Sequence, residues 1–306
     1  MGAGANLIWI NGSLVESEKA TVHFLNSTLH YGIGVFEGIR CYETARGPAV
    51  FRLREHMERL IDSALILGYR NLPYSADELV QATREVIKAN GFTQCYIRPL
   101  IFMDDAQTPT MVLDRGKAKV GIAAWYWGAY LGDEAAEKGV RANISSFTRH
   151  HINVSMTKAK VTGNYANSAL AKTDSLRLGF DEAILLDSQG FVAECSGENI
   201  FVVRGKKIFT PPTTTILEGI TRDAIITLLG DLGYTVIEQP ISRDQLYIAD
   251  EVFVCGTAAE CVAVREIDFR VIGSGRMGPI TREIQKTYLS AVHGEHARSG
   301  GWLEYV

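Results

Sequence analysis

The sequence lacks a disulfide framework and a membrane-spanning segment. Its five cysteines form no Cys-x-x-Cys pair and are odd in number; they stand at positions 41, 95, 195, 255 and 261. Such a set favours a reducing cytoplasm, and no charged and then apolar leader suggests secretion. Apolar runs such as 183–186 fall far short of the ~20 residues that span a bilayer. We therefore expect a cytoplasmic protein with no membrane partner.

The sequence also has no strong excess of charge. There are 31 lysines and arginines against 35 aspartates and glutamates, a net charge of -4, which provides no basic field for nucleic acid. The histidine pairs at 150–151 and at 293 and 296 lack cysteine or carboxylate partners at ligand spacing, so no metal site is predicted. With 306 residues, 46% of them hydrophobic, the chain can form one large or two smaller globular domains.

Strand and helix signals are mixed along the whole chain. A hairpin is predicted at 7–15 around Asn11-Gly12, a helix at 53–67, and a second helix between the capping box at 75–78 and Gly91. Further strands are predicted at 96–102, 120–125, 182–187, 199–203, 252–254 and 261–264, and further helices at 221–232 and 280–292. This pattern predicts a mixed α+β or α/β fold in two lobes: a small lobe at 1–127, a linker at 128–138 and a large lobe at 139–306.

Two lysines and a glutamate indicate where the chemistry lies. Lys158 and Lys160 are two residues apart, so in an extended segment they share a face, and spacing does not choose between them. A lysine whose pKa is lowered can form a Schiff base. Glu194 follows the apolar stretch 191–193, as a carboxylate near the end of a strand would, and it can keep a pyridine nitrogen protonated. Taken singly, these residues are ordinary surface and strand-edge groups.

Two later segments are suited to binding anions. The run 216–223 leads into a helix, and Gly219 and Thr221 stand where free N–H groups and the helix dipole favour a phosphate. The turn Gly256-Thr257-Ala258 separates two apolar strands and presents backbone donors. Each segment alone is also explained as a capped helix or a tight strand connection.

A further match, 273–278, has the spacing of a dinucleotide-binding glycine motif. Only 28 residues follow it, too few for a complete βαβ unit with its ribose-binding acid, so we interpret it as a turn before a helix at Pro279. A nicotinamide dehydrogenase is therefore the weaker alternative, and a noncatalytic binding protein is disfavoured because both Lys160 and Glu194 are present.

Taken in order, these segments resemble the branched-chain amino-acid aminotransferases, which belong to the class IV pyridoxal-phosphate enzymes of fold type IV. The resemblance covers nearly the whole chain. It includes the runs 30–32, 36–42, 54–60, 96–100, 127–132 and 160–165 and the three later segments around Glu194, Gly219 and Thr257. It implies a small and a large lobe, pyridoxal 5'-phosphate as cofactor, and a homodimer or higher homo-oligomer, such as a hexamer, whose active site includes residues of the neighbouring subunit.

The resemblance also implies a role for each matching residue. Lys160, not Lys158, becomes the Schiff-base lysine and proton carrier, Tyr165 contacts the phenolic oxygen of the cofactor, and Glu194 contacts its pyridine nitrogen. The other implied cofactor-binding residues are Arg59, Leu217, Gly219, Ile220, Thr221, Gly256 and Thr257. The implied substrate-binding residues are Tyr31, Phe36, Gly38, Arg40, Tyr96, Arg98, Trp127, Tyr130 and Ala258.

The expected reaction is transfer of the amino group from leucine, isoleucine or valine to 2-oxoglutarate by a ping-pong mechanism, so the partners are small amino acids and 2-oxo acids. Arg98 can pair with the side-chain carboxylate of glutamate, and Phe36 and Trp127 can form apolar walls for a branched chain. The alternatives within the family are a D-amino-acid or (R)-amine aminotransferase and an aminodeoxychorismate lyase. The runs 96–100 and 163–165 favour the branched-chain type.

Overall fold

The computed structural model describes residues 6–104, 108–113, 117–128 and 131–306, with Asp104 and Asp133 described by their backbone alone. The helices in this part of the chain are α1 Ser27–Tyr31, α2 Leu53–Leu67, α3 Ala76–Asn90, α4 Asp133–Lys138, α5 Tyr165–Arg177, α6 Ile220–Asp231, α7 Arg243–Tyr247, α8 Pro279–Val292 and α9 Ser299–Trp302. The strands are β1 Leu7–Ile10, β2 Ser13–Glu16, β3 Val35–Phe36, β4 Ile39–Thr44, β5 Gly47–Phe51, β6 Cys95–Asp104, β7 Lys117–Trp125, β8 Val140–Ile144, β9 Glu182–Leu186, β10 Val192–Cys195, β11 Asn199–Arg204, β12 Lys207–Thr210, β13 Thr235–Glu238, β14 Glu251–Gly256, β15 Glu260–Ile267, β16 Arg270–Val271 and β17 Leu303–Tyr305.

These elements pack into two compact units. Unit 1 comprises Met1–Trp127, Lys158–Tyr165 and Ala291–Val306, and unit 2 comprises Gly128–Thr157 and Ala166–Ser290. The later segments belong to unit 1 for a physical reason: Val161 forms a β-bridge with Val35, and β17 pairs with β5. The lobe boundaries at 127 and 138, derived from the sequence, stay a prediction.

Unit 1 is built on an eight-stranded antiparallel sheet in the order β17-β5-β4-β6-β7-β1-β2, with β3 paired to β6. Helix α2 buries Leu53, Met57, Leu60 and Ala64, which recur at helical spacing. Helix α3 begins with the capping box of Ser75 and ends at a left-handed Gly91. The apolar faces of α2 and α3 and of the sheet form one core cluster, which fixes the segments that carry the chemical groups of this unit.

Unit 2 is built on a mixed nine-stranded sheet in the order β10-β9-β8-β15-β14-β11-β12-β13, with β16 on β15. Strand β8 runs parallel to both β9 and β15, and β12 runs parallel to β13, while the other pairs are antiparallel. Strand β14 is buried along almost its whole length, and residues 261–264 in the middle of β15 are buried as well.

The predicted mixed α/β class and the predicted elements are confirmed. Helix α2 spans the predicted range, and the hairpin pairs Ile10 with Ser13 around Asn11-Gly12. The run 273–278 is a turn that leads into α8, as interpreted from the sequence. None of the helices within the described ranges is long and apolar enough to cross a membrane.

Candidate active site

The lysine segment of unit 1 is fixed at both its backbone and its side chain. The N–H of Lys160 donates to Ser63 Oγ at 3.0 Å, and its carbonyl accepts from the N–H of Phe36 at 3.1 Å. Its Nζ donates to the hydroxyl of Tyr165, the first residue of α5, at 2.7 Å. The rings of Phe36 and Tyr165 each lie 5.1 Å from Nζ. Unit 1 thus holds a primary amine beside a phenol on a half-buried surface.

An arginine lies among aromatic rings in the same unit. The Arg98 guanidinium on β6 is 4.7 Å from the ring centroid of Phe36 and 5.3 Å from that of Tyr96, and its Nη2 donates to the Tyr96 hydroxyl at 3.2 Å. Trp127 stands edge-on to Tyr96 at 4.5 Å. Within the described residues the buried Nε of Arg98 has no hydrogen-bond partner. An apolar wall with a cation that retains donor capacity is suited to aliphatic and acidic side chains in turn.

Other predicted substrate residues surround this cluster to different degrees. A Cβ at Gly38 would lie 2.0 Å from the Tyr96 hydroxyl, so any larger residue at position 38 would displace this hydroxyl. Arg40 is buried and pairs with Tyr96 in the register of β4 and β6. Tyr31 ends α1, is 44% exposed and faces His30 at 6.2 Å, and the described part of unit 1 does not bring it into the cluster.

The predicted phosphate residue Arg59 projects from α2 onto a buried carboxylate. Its Nε and Nη2 donate to the two oxygens of Glu37 at 2.7 and 2.8 Å, and His56 Nδ1 lies 2.8 Å from Glu37 Oε2. Burial opposes the charge on Glu37, but Arg59 and His56 hold the pKa of this carboxyl well below its usual range. Burial lowers the pKa of His56 despite the carboxylate beside it. The trio is therefore an ion pair with a neutral imidazole.

In unit 2, Glu194 is buried on β10 and held by several donors. Arg149 Nε lies 2.6 Å from Glu194 Oε1, while the N–H of Leu217 and Nδ2 of Asn199 donate to Oε2 at 3.3 and 3.5 Å. An arginine partner and two donors favour the ionised carboxylate. Through this contact the backbone of Leu217, predicted near the cofactor, holds the Glu194 carboxylate.

Helix α6 begins without a side-chain cap. Gly219 is the N-cap and has no side chain to satisfy the first N–H groups, and Ile220 and Thr221 are the first two helical residues. A Cβ at Gly219 would lie 2.0 Å from Asn199 Oδ1, so any larger residue here would clash with the Asn199 side chain. The same side chain donates to Glu194. With twelve residues, α6 has a positive dipole end suited to an anion.

The turn between β14 and β15 carries the remaining predicted residues of unit 2. Gly256 pairs with Glu260, and Thr257 and Ala258 lie between them. A Cβ at Gly256 would lie 3.2 Å from the carbonyl of Gly197, so this turn packs closely on the segment that follows Glu194. Tyr130 lies outside the described residues, and the roles of all these residues stay predictions. In the described parts of the chain, no cluster of His, Cys, Asp and Glu side chains could hold a metal ion.

The donor sets of the two units, each taken by itself, fit pyridoxal 5'-phosphate. Unit 1 offers the amine and phenol of Lys160 and Tyr165 and an arginine for a phosphate. Unit 2 offers an arginine-paired carboxylate for a protonated pyridine nitrogen and a helix N-terminus for a phosphate. This chemistry matches the cofactor predicted from the sequence.

Five residues in these arrangements were missed by the sequence analysis: Glu37, His56, Ser63, Arg149 and Asn199. His56 and Arg59 are three apart on α2, so helical spacing places them on one face and could have signalled the pair. Glu37 stands inside a matching run, between Phe36 and Gly38. Arg149 is 45 positions from Glu194, and no local pattern connects them.

Comparisons with known proteins agree with the geometry. The model of the family described as amino-transferase class IV matches residues 34–267. The chain is 48% identical over 300 residues to the branched-chain-amino-acid aminotransferase of Pseudomonas aeruginosa, covering 98% of this chain and 97% of that protein. It is 50% identical, with a TM-score of 0.95, to the crystal structure of a T.th. branched-chain amino acid aminotransferase with pyridoxamine 5'-phosphate, covering 98% of both chains. The same T.th. protein complexed with N-(5'-phosphopyridoxyl)-L-glutamate matches with a TM-score of 0.94 at 49% identity over 98% of both chains.

Proposed function

The chain belongs to the class IV aminotransferase family, and from this premise we infer that it is a branched-chain-amino-acid aminotransferase. It transfers the amino group of leucine, isoleucine or valine to 2-oxoglutarate, with pyridoxal 5'-phosphate as cofactor. The predicted family, fold, reaction and cofactor are thereby confirmed.

The roles of the residues follow from their chemistry. The cofactor, when bound, supplies an aldehyde that accepts amines and a ring that withdraws electrons from the substrate Cα. Lys160 Nζ would hold the cofactor covalently and would act as the acid–base group that moves the substrate α-proton away from Cα. The Tyr165 hydroxyl forms a hydrogen bond with Lys160 Nζ and orients it. Glu194 would keep the pyridine nitrogen protonated. Arg59 and the α6 terminus with Gly219, Ile220 and Thr221 bind the phosphate.

The observation that carries this assignment is the contact of Lys160 Nζ with the Tyr165 hydroxyl at 2.7 Å. A surface lysine needs no phenol beside it, whereas an amine that must alternate between covalent bonding and proton transfer needs a fixed polar neighbour. The backbone bonds of Lys160 to Ser63 and Phe36 hold the amine at this place.

Substrate selection rests on Arg98 and the rings around it. Phe36, Tyr96 and Trp127 form a surface that can hold a branched aliphatic chain, and the Arg98 guanidinium donates to the second carboxylate of glutamate or 2-oxoglutarate. One place can then bind both kinds of side chain in turn, as a ping-pong mechanism requires.

The test compares Lys160→Ala with Lys158→Ala. We expect Lys160→Ala to lose the visible absorbance band of the bound cofactor and to lower the transamination rate with L-leucine by at least about 10³-fold, because the covalent attachment and the proton carrier are both removed. Lys158→Ala, two residues away, should keep both signals. A Lys160→Ala protein with its band and its full rate would rule out the assignment, and faster turnover of D-alanine than of L-leucine would favour the D-amino-acid type.

We also propose that the protein is a cytoplasmic homodimer or a higher homo-oligomer. All five cysteines are free and buried, which agrees with a reducing compartment, and recovery of the protein from a secreted fraction would contradict it. Near α1, large apolar side chains are exposed at Val22, Phe24, Leu29 and Tyr31, as at a surface covered by another copy.

A further inference from the structure

Glu37 is a buried carboxylate that lies outside the predicted cofactor and substrate residues. Its side chain is fully buried, and both of its oxygens are engaged by Arg59 in a two-pronged ion pair, with His56 as a third partner. An ion pair this deep in a protein contributes little net stability, since desolvation offsets much of the attraction. Stability alone therefore does not account for this buried pair.

The backbone around Glu37 connects this ion pair to the lysine segment. Phe36 bonds through its N–H to the carbonyl of Lys160, and the N–H of Glu37 donates to the carbonyl of Pro99 on β6. The ring of Phe36 stands 4.8 Å from that of Tyr165, whereas the side chain of Glu37 reaches α2. One short segment thus fixes the surroundings of Lys160 through Phe36 and the guanidinium of Arg59 through Glu37.

The geometry of the pair also restricts the guanidinium. Nε and Nη2 lie on one edge of the planar group and both donate to Glu37, so the plane cannot rotate without breaking two charge-assisted bonds. The opposite edge of the Arg59 guanidinium, which carries Nη1, therefore points in one fixed direction. His56 in turn fixes the carboxylate, because its Nδ1 is directed at the oxygen that also receives Nη2.

We propose that Glu37, supported by His56, is a positioning residue that holds the Arg59 guanidinium in the orientation that binds the cofactor phosphate. This inference rests on the proposed function, in which Arg59 is a phosphate ligand. Glu37 itself touches neither the phosphate nor the substrate; it acts through Arg59.

The test measures cofactor affinity with and without the phosphate group. The apoprotein is titrated with pyridoxal 5'-phosphate and, separately, with pyridoxal, and binding is followed by absorbance. In Glu37→Gln the neutral amide cannot pair with both edge nitrogens, so we expect the Kd for pyridoxal 5'-phosphate to rise about tenfold or more, as when supporting partners of a bound group are removed. The Kd for pyridoxal should stay within about twofold, because Lys160 still binds the aldehyde.

Two further variants sharpen the comparison. Glu37→Asp keeps the negative charge but shortens the side chain by one methylene group. We expect it to retain more of the preference for the phosphorylated cofactor than Glu37→Gln does. It also replaces Glu37→Gln if that variant does not fold. Glu266→Gln is the matched control, since Glu266 accepts from Nε and Nη2 of Arg141 at 2.9 and 2.7 Å in unit 2, and neither of the two is a predicted phosphate residue. It should leave both affinities unchanged.

The outcomes separate the inference from the function on which it rests. Equal losses for both ligands, unchanged affinities or tighter phosphate binding in Glu37→Gln would overturn the positioning role. Arg59→Ala is titrated in parallel. If Arg59→Ala loses the preference for pyridoxal 5'-phosphate and Glu37→Gln does not, only the role of Glu37 is wrong; if Arg59→Ala keeps the preference, the phosphate assignment fails and the inference with it.

Discussion

At the scale of single residues, two glycines are required by the space that neighbouring polar groups occupy. Gly38 leaves room for the Tyr96 hydroxyl, and Gly219 leaves room for the Asn199 amide, each at 2.0 Å from where a Cβ would stand. Neither position has a left-handed backbone, so the requirement is close approach and not conformational freedom. Both neighbours belong to polar arrangements, Tyr96 with Arg98 and Asn199 with Glu194.

Gly38→Ala tests the first of these contacts. The new methyl group must displace the far end of the Tyr96 side chain, so the protein should fold, but the hydroxyl leaves its place beside Arg98. We expect kcat/KM for L-leucine and for 2-oxoglutarate to fall by about 10- to 100-fold, while the Kd for pyridoxal 5'-phosphate is unchanged. Gly230→Ala is the control, because no atom lies within 4 Å of a Cβ there. Full activity in Gly38→Ala would mean that the position of Tyr96 does not matter for substrates.

At the scale of secondary-structure elements, a charged cluster joins α5 and β9 to the connection between β10 and β11. Lys172 on α5 pairs with the buried Glu182 on β9, and Glu182 also accepts from the N–H of Ser196 at 3.2 Å. Glu198 in that connection accepts from the N–H of Gly197 at 3.2 Å. Burial, with Glu182 as the next cause, raises the pKa of Glu198 to about 8, while Lys172 opposes the rise.

The raised pKa of Glu198 predicts a fall of stability with rising pH. Between about 4.5, its ordinary value, and about 8, the folded protein retains a proton that the unfolded chain releases, so this contribution is complete below pH ~4.5 and lost as pH passes through ~8. Glu194 and Lys172 also face this carboxyl. Glu198→Gln carries no such proton, so its unfolding free energy relative to wild type should rise by on the order of a few kcal/mol between about pH 5 and about pH 9. Denaturant unfolding at both values checks this; a constant difference would contradict it.

At the scale of the whole molecule, the surface of unit 1 near α1 suggests association. The net charge of -4 is too small to keep copies apart, and the exposed apolar side chains from Val22 to Tyr31 are concentrated within ten residues. Tyr31, predicted to bind substrate, is exposed at this surface. A second copy bound at this surface would cover both the exposed apolar side chains and Tyr31.

Phe24→Asp tests the proposed oligomer. Sedimentation equilibrium should give wild type a mass of at least twice the 33.7 kDa of one chain, and Phe24→Asp should shift it toward one chain because a charge is buried without a partner. Phe269→Asp is the matched control, since Phe269 in unit 2 is equally exposed, 74% for both. A monomeric wild-type protein, or an equal effect of the two substitutions, would contradict the proposal.

The sequence by itself determined the family and part of the secondary structure, including α2, α3 and the first hairpin. The helical spacing of apolar residues predicted α2, and the Ser75 capping box and Gly91 predicted the two ends of α3. The ordered motifs implied the fold, the reaction and the cofactor. These signals are short-range or shared with relatives, and a single chain carries them before it folds.

Only the tertiary structure decided which distant groups meet. Spacing left Lys158 and Lys160 equal and the family resemblance chose Lys160, but only packing shows that its Nζ donates to the Tyr165 hydroxyl. Likewise, Arg59 meets Glu37 across 22 positions and Arg149 meets Glu194 across 45. A buried ion pair depends on where two separate elements come into contact, and neither element's own periodicity records the position of the other.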